Sequence, residues 1–136
     1  MGAGKTVDPR RSEQATASAR QPILVVEDNP QLLDVLGMLL DYERYLVILK
    51  ADGQEALDWL ARQCPALLIL DWRLPKVGGD RVLAATRERY GPQVPILVLS
   101  AVADSPEVRQ AGADAYLRKP YDIEELVATI RRLLAA

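Results

Sequence analysis

The 136-residue sequence predicts a single α/β domain, a doubly wound parallel sheet covered by helices on both faces. Three observations predict it. Short apolar runs recur at Ile23 to Val26, Leu46 to Leu49, Ala66 to Leu70, Ile96 to Leu99 and Ala115 to Leu117, most of them continuously apolar, as strands buried on both faces should be. The segments between the runs carry apolar residues at helical spacing. Helix start and stop signals stand where a strict strand-helix alternation needs them, and that alternation implies right-handed crossovers between parallel strands.

Taken in order, residues 1–21 lack periodicity and are rich in Ala, Ser, Thr, Gly and Arg, which predicts a disordered leader and leaves residues 22–136 as the domain. Within the leader, Gly2-Ala3-Gly4-Lys5-Thr6 has the ending of a phosphate-binding P-loop. It lacks the first glycine and a preceding strand, so it is read as leader. After the first run, Leu32, Leu33, Val35, Leu36, Leu39 and Leu40 form the buried side of a helix. Asp52-x-x-Glu55 fits a capping box opening a helix through Ala56, Leu57 and Leu60, and Val82, Leu83 and Thr86 mark the next. Ser105-Pro106 offers an N-cap followed by proline at the first helical position, and Gly112 suits a left-handed helix end. Asp122-x-x-Glu125 opens the last helix.

Length allows one domain with a real core. A net charge of −2 gives no general attraction to nucleic acid, although the sign is uneven, with residues 1–21 at +2 and the remainder at −4. Cys64 is the only cysteine, so no internal disulfide can form and a reducing cytoplasm is expected. Apolar runs such as Ala66 to Leu70 are far too short to span a membrane, and the polar start has no signal-peptide core. Histidine is absent, which excludes His-based metal sites, His general bases and phosphohistidine chemistry on this chain.

Four of the runs end on functional side chains: Glu27-Asp28, Asp71, Ser100 and Lys119. If the runs are neighbouring parallel strands, three carboxylates, a hydroxyl and an ammonium meet at the carboxyl edge of the sheet, where open α/β folds bind ligands. Such a group suits a divalent cation and a phosphoryl group. Without a cation the carboxylates repel one another, and at least one should resist ionisation.

Four signatures along the chain, Val25-Val26-Glu27-Asp28-Asn29, Leu70-Asp71-Trp72-Arg73-Leu74-Pro75 with Gly78-Gly79 beyond, Leu99-Ser100-Ala101, and Ala111 to Pro120 (Ala-Gly-Ala-Asp-Ala-Tyr-Leu-Arg-Lys-Pro), stand in an order that resembles response-regulator receiver domains from Ile23 to Leu134. The resemblance implies a flavodoxin-like (β/α)5 fold with strand order 2-1-3-4-5. It implies that Asp71 accepts a phosphoryl group from a histidine kinase or histidine phosphotransfer protein, and that the chain is a phosphoacceptor rather than an enzyme. Mg²⁺ would be held by Asp28, Glu27, Asp71 and the backbone carbonyl of Arg73. Lys119 would pair with Asp71 or its phosphoryl oxygens, with a cis bond to Pro120. Ser100 would hydrogen-bond the phosphoryl group, and Tyr116 would turn inward as the aromatic switch that alters the surface offered to a downstream protein target.

The pattern departs from the family at one face. Eleven residues separate Ser100 from Gly112, so the fourth helix should lose about one turn of ~3.6 residues. Ala115 and Thr129 stand where an acid and an arginine join many receiver dimers, so a monomer is expected. Two other readings compete: a receiver-like interaction module that does not use phosphorylation, and a phosphatase with a strand-end aspartate nucleophile. The second calls for an acid two residues after the nucleophile, where this chain has Arg73.

Overall fold

The computed structural model describes residues 21–102 and 105–135. The leader and its P-loop-like segment lie outside the described residues, apart from Gln21. Strands β1 (Ile23–Val26), β2 (Val47–Lys50), β3 (Leu67–Asp71), β4 (Ile96–Ser100) and β5 (Ala115–Arg118) alternate with helices α1 (Pro30–Tyr42), α2 (Gly53–Leu60), α3 (Gly79–Tyr90), α4 (Pro106–Gln110) and α5 (Ile123–Ala135). All pairings are parallel, and the strand order is 2-1-3-4-5. The sheet is therefore the doubly wound one expected.

Side-chain alternation along the strands sorts the core into two layers. Ile23, Val25, Leu67, Ile69, Leu97 and Leu99 pack against α1 and α5 through Leu36, Leu40, Leu126 and Ile130. Leu24, Val26, Leu68, Leu70, Ile96 and Val98 face the other way, onto Ala56 and Leu60 of α2, Val82 and Leu83 of α3, and Val108 of α4. Both faces of β1, β3 and β4 are thus buried, which explains why those runs are apolar at every position.

Strand ends follow backbone pairing rather than hydrophobicity. Leu46, 58% exposed, precedes β2, which runs on to Lys50 instead. The Ile23 N–H donates to the Leu46 carbonyl (2.9 Å), so the pairing begins there.

The caps agree with the sequence in place and differ in detail. Asp52 Oδ1 accepts from the Glu55 N–H (2.8 Å), but the Glu55 carboxylate reaches past Asp52 to the Ala51 N–H (3.4 Å). At α5, Asp122 Oδ1 accepts from the N–H of Glu124 (3.1 Å), one residue short of the capping-box donor. Ser105 Oγ accepts from the Val108 N–H (3.2 Å) ahead of Pro106, and Gly112 takes φ +92°, as its place after α4 requires. One helix end had no glycine to announce it. Arg44, at φ 73°, closes α1 with its own N–H on the Asp41 carbonyl (2.9 Å) and the Tyr45 N–H on the Leu40 carbonyl (3.0 Å), the bond pair of a Schellman end.

At the amino end of the sheet, far from the acidic edge, Arg87 ties three segments together. Its Nη1 donates to the carbonyls of Gly91 (3.2 Å) and Val94 (2.6 Å), and its Nη2 to the Gly112 carbonyl (3.1 Å) and Asp114 Oδ2 (2.8 Å). Asp114 Oδ2 also accepts from the Ile96 N–H (2.8 Å), which pins the start of β4 to the start of β5. A lysine has no fork to span these acceptors. Arg87→Ala should lower stability in urea by roughly 2 kcal/mol, and Arg87→Lys should recover less than half of it; equal stability of the lysine variant and wild type would count against the clamp.

Candidate functional site

The strand registers bring the carboxyl ends level, with Val26 beside Leu70, Asp71 beside Leu99 and Ser100 beside Arg118. Pairing continues one residue beyond several strands. The Glu27 N–H donates to the Lys50 carbonyl (3.1 Å), the Trp72 N–H to Leu99 (3.0 Å) and the Lys119 N–H to Ser100 (3.0 Å). The backbone that carries each functional side chain is thereby fixed to its neighbour.

Alternation then decides which side chains meet. Glu27, Asp71 and Lys119 each stand two residues beyond a core residue of the α1–α5 layer, Val25, Ile69 and Leu117. Accordingly Lys119 Nζ lies 2.9 Å from Glu27 Oε1 and 3.5 Å from Asp71 Oδ1. The expected Lys119–Asp71 pair is present, but the shorter contact is to Glu27. Glu27 is 1% exposed and Asp71 5% exposed. Local amides add to these contacts: the Asn29 N–H donates to Glu27 Oε2 (3.1 Å), and the Arg73 N–H donates to the same Asp71 Oδ1 that Lys119 approaches (3.2 Å). Asn29 also caps α1 through its Oδ1, on the Gln31 (3.0 Å) and Leu32 (3.1 Å) amides, which holds the Glu27–Asp28 turn against the helix.

Glu27, Asp28 and Asp71 each place a carboxylate oxygen within 4.8 Å of the others, with Asp28 exposed. Burial pushes the Asp71 carboxyl up from its ordinary 3.8 to about 7, and the negative charge of Glu27 adds to the rise, while Lys119 and the Arg73 amide oppose it. This is the carboxylate that resists ionisation. An all-oxygen donor set with one open, solvent-facing member fits a hard divalent cation such as Mg²⁺, which uses few protein ligands and retains several waters. The Arg73 amide places that residue's backbone against Asp71, beside the set.

Ser100 and Tyr116 belong to the other layer. Ser100 is buried, two residues beyond Val98, and its Oγ accepts from the Val102 N–H (3.0 Å). Tyr116 packs its ring against the same layer and donates its hydroxyl to the Arg109 carbonyl (2.9 Å) at the end of α4. The α4 helix has five residues against 13 in α1, so the shortening expected from the sequence is present. Ala115 and Thr129 are 9% and 8% exposed, and the Thr129 hydroxyl donates to the Glu125 carbonyl (2.8 Å) within its own helix, so neither offers a group at the surface.

Gly79 opens α3 directly behind the nucleophile candidate. A Cβ there would stand 2.8 Å from the Asp71 carbonyl oxygen and 2.8 Å from Trp72 Cα, closer than any real contact of that kind. Tyr121 was not singled out from the sequence. It follows Lys119-Pro120, whose peptide bond is cis as the resemblance implied, and its ring enters the α1–α5 layer beside the acidic cluster.

A doubly wound sheet of this order, with buried acids and a lysine converging on its carboxyl edge, has the fold and the site placement of a receiver-type signalling domain. The model of the response regulator receiver domain matches residues 23–131, and the chain belongs to that family. It is 39% identical over 114 residues to the transcriptional regulatory protein TrcR of Mycobacterium tuberculosis, covering 82% of this chain and 44% of that one. It is 42% identical over 115 residues to the response regulator MprA of Mycobacterium avium, covering 82% and 50%. The chain thus spans about half the length of these curated relatives. Among solved structures it resembles the receiver domain of the sensor histidine kinase PA1611 of Pseudomonas aeruginosa, which has a magnesium ion in its active-site cleft (TM-score 0.78, 35% identity, 87% of this chain and 100% of that one). It also resembles the chemotaxis protein CheY4 of Vibrio cholerae (TM-score 0.77, 30% identity, 85% and 99%).

Because Asp71 is harder to ionise in the folded chain, its contribution to stability is neutral below about pH 4, turns unfavourable as pH rises toward 7, and is fully unfavourable above that. Asp71→Asn should therefore be more stable than wild type by roughly 2–4 kcal/mol at pH 8 in metal-free buffer, with the gap closing toward pH 4. Millimolar Mg²⁺ should narrow it by stabilising wild type alone. A gap independent of pH in urea titrations would contradict the charge assignment.

Proposed function

We propose that this receiver takes a phosphoryl group onto Asp71 from a phosphohistidine on a histidine kinase or histidine phosphotransfer protein, in a Mg²⁺-dependent reaction, and signals the change to a downstream protein target through its α4–β5–α5 surface. The observation that carries this reading is the buried Asp71 carboxylate at the end of β3, facing Lys119 Nζ at 3.5 Å and two further carboxylates.

In the transfer, an Asp71 carboxylate oxygen forms a bond to phosphorus while the phosphorus–nitrogen bond of the donor breaks and the imidazole leaves with the electron pair. A carboxylate is a weak nucleophile, so the rate depends on positioning and on neutralising charge around the phosphoryl oxygens. Glu27, Asp28, Asp71 and the Arg73 carbonyl would hold Mg²⁺, which when bound offsets negative charge on the carboxylates and the phosphoryl group. Lys119 supplies the fixed cation next to Asp71. The Ser100 hydroxyl already accepts from Val102 N–H and keeps its own proton to donate, so it supports a hydrogen bond to the phosphoryl group. Movement of Ser100 would open space in the α2–α4 layer, into which Tyr116 turns once its bond to the Arg109 carbonyl is released.

A protein donor fits the surface beside the site. Val35, Met38, Tyr42, Leu46 and Ile123 are the large exposed apolar residues among those described, and two of them, Val35 of α1 and Ile123 of α5, line a groove of about 480 Å³ together with Lys119. We further propose that the chain turns over no separate substrate, acts in the cytoplasm, binds no nucleic acid directly and stays monomeric. No described helix is long and apolar enough to cross a membrane.

Incubation with Mg²⁺ and a small phosphodonor should give a single phosphoryl adduct by intact mass on wild type and none on Asp71→Asn. No adduct on either would favour the phosphorylation-independent module; an adduct that disappears as fast as the donor turns over would favour the phosphatase. With Ala115 and Thr129 buried, light scattering on the phosphorylated chain should still give the monomer mass, and a clear dimer there would refute the monomer.

A further inference from the structure

One polar side-chain atom among the described residues is buried without a hydrogen bond: the hydroxyl of Tyr121. A phenylalanine would fill the same apolar surroundings without stranding a donor, so the hydroxyl calls for an explanation outside the arrangement in which it is orphaned. Its location supplies one. The ring packs in the α1–α5 layer, the layer whose strand ends carry Glu27, Asp71 and Lys119, and it lines a groove with Leu32 of α1 and with Lys119 and Pro120. Burial, then the negative charges of Glu27 and Asp71, push the Tyr121 phenol up to about 12, so it remains a hydrogen-bond donor throughout the physiological range.

Glu27 has the complementary problem. Its carboxylate is almost fully buried, and its Oε1 depends on a single described partner, Lys119 Nζ at 2.9 Å. The same ammonium is 3.5 Å from Asp71. A phosphoryl group adds about one further negative charge where Asp71 stands and brings three acceptor oxygens, so it draws the ammonium toward itself. Glu27, whose charge the Tyr121 hydroxyl already feels, would then lose the hydrogen-bond donor to its Oε1; Mg²⁺ on the cluster would offset its charge but donate no hydrogen bond.

We propose that Tyr121 is a positioning residue of the phosphorylated state: as Lys119 turns to the phosphoryl group on Asp71, the Tyr121 O–H replaces it as the donor to Glu27. The hydroxyl is a cost at rest and a support when the site is loaded, which biases the chain toward the state that Lys119 alone would leave half-satisfied. The inference rests on the receiver reading above.

The full chain and its Tyr121→Phe variant, both with Mg²⁺, should be compared for affinity toward beryllofluoride, a phosphoryl mimic, and for resting stability in urea without it. The variant should be as stable as wild type or more so at rest, yet bind beryllofluoride roughly ten- to hundredfold more weakly, the loss expected for one hydrogen bond to a charged group. Opposite signs in the two measurements separate positioning from packing. Equal affinity in the two chains overturns the inference while leaving the receiver reading in place. A variant that loses resting stability in proportion to affinity shows a structural role and also overturns it. If wild type does not bind beryllofluoride at all, the receiver reading and this inference fall together.

Discussion

Two buried carboxylates share one ammonium. Glu27 and Asp71 both stand at the carboxyl edge of the sheet, and Lys119 is the described cation that reaches them, so the pocket holds more negative charge than it can neutralise. Charge in a poorly solvated site is expensive unless it is paired. The chain answers with a carboxyl pushed up toward neutral pH, with backbone amides from residues 29 and 73 aimed at the oxygens, and with one exposed acid, Asp28, at the mouth. A pocket in this condition gains from any arriving positive charge, so a cation bound there would also stabilise the fold around it.

The division of the sheet into two faces gives the pocket two kinds of residue. Glu27, Asp71 and Lys119 lie on the side of α1 and α5 and set the charge. Ser100 and Tyr116 lie on the side of α2, α3 and α4, where the contacts are a backbone amide and the carbonyl at the end of a five-residue helix. The charge-bearing side is anchored by buried leucines and isoleucines from two 13-residue helices. The other side ends in a helix too short to hold itself by internal hydrogen bonds alone. Chemistry and response are therefore built on elements of different firmness.

Much of this was legible in the sequence because parallel strands buried on both faces leave a plain record, unbroken apolar runs with polar residues at their carboxyl ends. Asp71, Glu27, Asp28, Ser100 and Lys119 could be named from that record, and the strand order came from resemblance. Details set by non-local distances were not legible. Lys119 sits nearer Glu27 than Asp71 because three strands of equal parity converge, which no local motif encodes. The capping box at Asp52 gives its second bond to residue 51, the end of α1 uses an arginine where a glycine is the usual signal, and nothing in the sequence marks the Tyr121 hydroxyl as enclosed.

The glycine that opens α3, Gly79, ties the helix to the acid. Because residue 79 rests against the carbonyl of Asp71 and the backbone of Trp72, the helix start and the acid are a single mechanical unit with no slack between them. Any larger residue there has to push the Asp71 carbonyl or the Trp72 backbone aside. A side chain at this position is thus costly for a reason that has nothing to do with turn geometry: the first residue of α3 has to be small for the helix to start where it does.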